Sequence, residues 1–132
     1  LKPVSEAIDM GMKTESYAEI TTRFKGMHQW AGAPEGHPHE HLRNMHRHVF
    51  HVTVRIQQFH DDRDVEYLYA LDKLDAFIGE SYPTWPLGKS CEMMAQWILD
   101  YCSSQWGEDR AYVVKVTEDG ENGAVLCARP SK

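Results

Sequence analysis

The 132-residue chain is long enough for one domain with a single core and too short for two. Its 14 basic and 20 acidic residues give a net charge of −6 with no Lys/Arg block, which argues against a partner gripped through nucleic-acid phosphates. Its apolar runs fall far short of a membrane span, and its start lacks the charged-then-apolar-then-small order of a signal peptide.

Residues 1–15 carry no clear period and read as a loose arm; residues 16–132 read as one domain. Tyr17 to His28 alternate, with Ile20, Thr22, Phe24, Gly26 and His28 on one parity, and predict a strand. Ala31 to Asn44 hold Gly32, Pro34, Gly36 and Pro38 and read as a loop. His46 to Phe59 alternate again: His46, His48, Phe50, Val52, Val54 and Ile56 share one face, and His51 faces the other way. Tyr67, Ala70, Leu71, Leu74, Phe77 and Ile78 follow helical spacing, and Tyr82 to Gly88, with two prolines, break it. Ser90 is placed to cap a second helix carrying Cys91, Met94, Ala95, Ile98, Leu99 and Cys102 on its apolar side. Ala111 to Glu118 and Ala124 to Arg129 predict two short strands joined by the turn residues Asp119 to Gly123. The expected class is α+β: a ββααββ antiparallel sheet with both helices on one face. Two strands longer than two modest helices can cover predict pairing with other copies, hence a homo-oligomer.

Three cysteines, Cys91, Cys102 and Cys127, form no Cys-x-x-Cys pair. Cys91 and Cys102 lie on one predicted helix roughly 16 Å apart by helical rise, too far to bridge. All three read as core, and the set fits a reducing, cytoplasmic setting.

Seven of the eight histidines fall in the twenty-four residues from His28 to His51. His46 and His48, at i and i+2 on a strand, send both rings from one face about 6–7 Å apart. An antiparallel return brings them past His28 at the end of the preceding strand. Three imidazoles at a strand end suit zinc, which keeps a fourth position open in catalytic sites; nickel and copper also favour imidazole. His37, His39 and His41 sit in the loop, and His51 and His60 receive no role.

Phe24-Lys25-Gly26-Met27-His28, the loop Pro34-Glu35-Gly36-His37, and His46-Arg47-His48 ahead of a long apolar strand resemble the 6-pyruvoyltetrahydropterin synthase family, which includes 6-carboxytetrahydropterin synthase. The likeness runs from about residue 18 to the end, taking in Ser90-Cys91-Glu92 with Met93 to Ile98, and Val114 to Glu118. The resemblance implies the tunnelling fold, whose unit has the strand and helix order derived above. It also implies assembly into an oligomeric barrel, typically a hexamer of two trimers, with active sites between subunits. The family's three-histidine zinc site maps onto His28, His46 and His48, and its ring-anchoring glutamate onto Glu118. A carboxylate there accepts two parallel N–H bonds from the amidine edge of a pterin or purine-like ring.

Three departures stand out. No cysteine occurs in residues 31–45, where the family carries its general base; His39 or His41 occupies that neighbourhood and is the candidate proton carrier, since imidazole titrates near neutrality. The family's Leu-Asp-His segment between the helices is missing, and Arg47 replaces the usual glycine between the paired histidines. Two functions follow as expectations. The first is a zinc-dependent lyase of the 6-pyruvoyltetrahydropterin or 6-carboxytetrahydropterin synthase type, acting on a pterin or related bicyclic heterocycle. The second is a non-catalytic zinc-containing homo-oligomer that binds a purine or pterin. A third reading, metal storage through the loop histidines, predicts more than one metal per chain.

Overall fold

The computed structural model describes residues 11–81 and 89–131. Two 13-residue strands, β1 (Ser16–His28) and β2 (His46–Gln58), pair antiparallel from Ser16↔Gln58 to His28↔His46. Two helices follow, α1 (Tyr67–Ser81) and α2 (Cys91–Trp106), then strands β3 (Tyr112–Glu118) and β4 (Asn122–Ala128). All neighbours are antiparallel and the sheet order is β1-β2-β3-β4, an open four-stranded sheet. The class is α+β, as the alternation and helical spacing predict. The expected loose arm falls partly on residues 1–10, and the expected helix break on Tyr82 to Gly88; both stretches lie outside the described residues.

Strand parity decides where the core sits. Ala18, Ile20, Phe50, Val52, Val54, Ile56, Tyr112, Val114 and Val116 all leave one face of the sheet and are buried. Ala70, Leu74 and Ile78 of α1 and Cys91, Met94, Ala95, Ile98 and Cys102 of α2 complete the same cluster, so both helices cover that face. The helices also hold each other: Phe77 stacks on Tyr101 at 4.3 Å, and the Tyr101 hydroxyl donates to the Lys73 carbonyl at 3.1 Å.

Ser90 caps α2 as expected, its Oγ accepting the Met93 N–H at 3.2 Å. The helix runs four residues past Cys102 and stops at Gly107, whose φ of 107° few side chains tolerate. Within the predicted 31–44 loop, Glu40–Arg43 form a 3₁₀ turn. Cys127 corrects the expectation that all three thiols are core: it pairs with Val113 on the helix-free face and is exposed. Cys91 and Cys102 are buried, and burial pushes each thiol up to about 12, with Glu118 and then Glu92 adding to the effect at Cys91. One thiol per native chain is therefore expected to react rapidly with a disulfide reagent near pH 8, and three after denaturation. Two fast thiols in the native chain would contradict this packing.

Arg110 ties the end of β2 to the start of β3. Its Nη1 donates to the Gln57 carbonyl and to Asp64 Oδ2, each at 2.9 Å, and its guanidinium lies over the Phe59 ring. The Arg110 hydrogen bond, opposed by burial and aided by the Phe59 amide, holds the Asp64 carboxyl below its usual range. A folded-state value below the unfolded one, about 3.9, gives stabilisation fully present above that pH and lost as the pH falls through the folded-state value. Asp64→Asn is thus expected to lower the urea midpoint at pH 7, with the gap to wild type shrinking below about pH 4. A gap independent of pH would remove ionisation from the account.

Candidate metal centre

The long β1–β2 pairing sets His28 directly across from His46 and Gly26 across from His48. The three rings leave the helix-covered face at its open end, beyond Phe50. Ring centroids lie 4.5 Å (His28–His46), 4.8 Å (His46–His48) and 5.2 Å (His28–His48) apart, a nearly regular triangle. Gly26, between the two strands' histidines, puts no side chain into that space.

Each ring is held from behind by an oxygen. His28 Nδ1 lies 3.1 Å from the Lys89 carbonyl, His46 Nδ1 2.8 Å from the Asn44 carbonyl, and His48 Nδ1 2.7 Å from Asp119 Oδ2. A carbonyl can only accept, and so can an ionised carboxylate, so each Nδ1 carries the proton. In the neutral rings the three Nε2 atoms are then bare lone pairs. Glu118, the last residue of β3, brings a fourth acceptor among them: its Oε2 is 2.7 Å from His28 Nε2 and 3.8 Å from His48 Nε2. Among the described residues, His28 Nε2 is buried and has no hydrogen-bond partner despite that short approach. With His28 neutral and Glu118 ionised the two atoms meet lone pair to lone pair, a repulsion that a proton shared between them or a cation bound by both would relieve.

One donor atom from each of His28, His46, His48 and Glu118 lies within 4.8 Å of every other. A tetrahedral ion bonded at 2.0–2.1 Å needs such atoms about 3.3 Å apart, within reach of small side-chain rotations. The three imidazole nitrogens fit a divalent ion that favours imidazole, with Glu118 beside them.

The centre opens onto a cavity of about 470 Å³. Trp30, Leu42 and Met93 give its apolar surface; Glu118, Asn122 and the start of α2 give its polar one. Cys91 also lines it, but as a thiol raised to about 12 it is unsuited to act as a base near neutrality. His39 and His41, the expected proton carriers, are exposed and do not line this cavity. Instead they form a row with His37, with ring centroids 5.6 Å (His37–His39) and 5.9 Å (His39–His41) apart. His51 faces the opposite side of the sheet beside Gly120, and His60 Nε2 lies 3.6 Å from Asp64 Oδ1. Arg47 also points away from the centre and is exposed.

Asp119 was not singled out by the sequence. Its Oδ1 accepts the Val49 N–H at 3.0 Å while Oδ2 faces His48, and the Val49 amide, then His48, hold its carboxyl below the usual range. No protein-family model matches the chain, and no curated protein matches it.

Proposed function

We propose that the chain is a zinc protein of the tunnelling-fold, 6-pyruvoyltetrahydropterin synthase-like type that acts on a pterin or related bicyclic heterocycle. The observation that carries this is the convergence of three Nδ1-anchored imidazoles on one point beside Glu118. His28, His46 and His48 would hold the ion, which when bound supplies Lewis-acid polarisation of substrate oxygens. Glu118 would bind the heterocycle through the N–H groups of its amidine edge. A cavity of about 470 Å³ with apolar Trp30 and Met93 walls suits a flat bicyclic ring. The outer edges of β1 and β4 are unpaired among the described strands, and joining them to other copies would close a barrel, as a trimer or hexamer. In that assembly a loop His39 or His41 would have to reach a cavity to carry protons. Among the described residues, no helix is long and apolar enough to cross a membrane.

A second reading, a non-catalytic zinc oligomer that binds a purine or pterin, is favoured by the position of His39 and His41, the expected proton carriers, outside the cavity. A proton-transferring group typically contributes about 10²–10⁴-fold, so its loss would leave binding with little turnover. The test is zinc-loaded protein with dihydroneopterin triphosphate, following product formation and, in parallel, quenching of pterin fluorescence on binding. Turnover supports the enzyme, and binding without turnover supports the second reading. Neither, in protein carrying stoichiometric metal, overturns the heterocycle assignment.

A further inference from the structure

We infer that Asp119 is the positioning residue of the metal centre, clamping the His48 ring and the β2 backbone beside it so that the β3–β4 turn sets the aim of one ligand. This rests on the metal-centre reading above. Of the three oxygens behind the rings, those of Lys89 and Asn44 are backbone carbonyls; Asp119 alone contributes a side chain. It holds β2 at three points. Oδ2 faces His48 Nδ1 at 2.7 Å, Oδ1 accepts the Val49 N–H at 3.0 Å, and its own N–H donates to the Val49 carbonyl at 2.7 Å. The contacts reach across 70 and 71 residues of sequence, so they belong to the tertiary fold rather than to the local turn.

The turn does not require this side chain. Asp119 and Gly120 have positive φ (57° and 75°), and the Glu121 N–H closes the turn on the Glu118 carbonyl at 3.0 Å. Asp, Asn and Gly all suit such a position, so backbone geometry does not distinguish them. Packing does not select it either, because the side chain is 46% exposed. The clamp does: two acceptor oxygens meet two donors. An asparagine has one oxygen and would set its NH₂ against either His48 Nδ1–H or the Val49 N–H. A carboxylate behind an imidazole also raises the ring's basicity as a ligand.

The test compares wild type, Asp119→Asn, Asp119→Gly and the control Glu121→Gln, which removes a neighbouring charge from the same turn. Co(II) d–d absorption reports the coordination geometry, and zinc competition against a chromophoric chelator reports affinity. Loss of an outer-sphere partner typically costs about 10–100-fold in metal affinity. That loss is expected for Asp119→Gly, a smaller one for Asp119→Asn with an altered Co(II) spectrum, and no change for Glu121→Gln. ¹⁵N spectra of the metal-free histidines give a readout independent of affinity. His48 should be locked as the Nδ1–H tautomer in wild type and mixed in Asp119→Gly, with far-UV circular dichroism unchanged. Wild-type affinity and tautomer in both Asp119 variants would overturn the inference and leave the metal centre standing. Wild type that binds neither Co(II) nor zinc would overturn the metal centre itself, and the inference with it.

Discussion

His46→Ala is expected to abolish stoichiometric zinc binding while leaving the fold intact. The ring lies on the first residue of β2, across from the last residue of β1, and makes no part of the buried cluster. Truncating it therefore removes little packing. For a metal the loss is severe: deleting an outer-sphere partner already costs about 10–100-fold, and deleting a ligand costs more. Zinc at 100 times its Kd would add about 2.7 kcal/mol to the stability of wild type, and the same concentration should add almost nothing to the variant. Elemental analysis of untagged protein, with thermal unfolding in the presence and absence of zinc, measures both. Unchanged metal content in His46→Ala would sink the ligand assignment. If that content instead exceeded one ion per chain and fell on replacing His37, His39 and His41, metal would reside in the loop.

Much of this centre is legible in local pattern, because alternation alone assigns His46 and His48 to the face of Phe50 and Val52. Pairing two adjacent long strands then leaves little choice but to bring His28 opposite them, and the register does so. Asp119 is hidden for a physical reason. Asp-Gly reads as turn chemistry, the turn is there, and nothing local signals that the carboxylate also reaches His48. Only the register of β2 on β3, with Phe50 across from Glu118, puts the turn beside that ring. Glu118 was legible as a strand end and, through the resemblance, as a ring anchor, but its approach to His28 Nε2 depends on side-chain placement that the strand pattern does not encode. Cys127 misleads because its neighbours Val125, Leu126 and Ala128 are apolar on both parities. Pairing with Val113 decides the face. The apolar spacing of α2 leaves its end open past Cys102, because Ser103-Ser104-Gln105 are polar, and the apolar Trp106 beyond them still packs against the core.

Gly123→Ala should be strongly destabilising, larger in effect than Gly120→Ala three residues earlier. The sequence groups both glycines with the turn, yet Gly123 lies within β4, paired with Thr117. A Cβ there would fall on the Val116 carbonyl oxygen, 2.6 Å from Thr117 Cα and 2.8 Å from the Val116 carbonyl carbon. These are backbone atoms of a strand bonded to β2 on its other side, so β3 has nowhere to retreat and β4 must shift. Overpacking typically costs about 1–3 kcal/mol, and a clash with fixed backbone belongs at or above the top of that range. At Gly120 the only cost is φ: a Cβ would come no nearer than 3.7 Å to the His51 ring, and a non-glycine residue in that region loses roughly 1–2 kcal/mol. Urea unfolding of the two variants gives the comparison. The shift of β4 should also reach the metal, since the Glu118↔Asn122 pair lies next to Thr117↔Gly123 and carries the turn that holds Asp119. Weakened Co(II) binding in Gly123→Ala, beside wild-type binding in Gly120→Ala, would tie strand packing to ligand aim. Equal stability of the two variants would mean that β4 does not pair with β3 in this register.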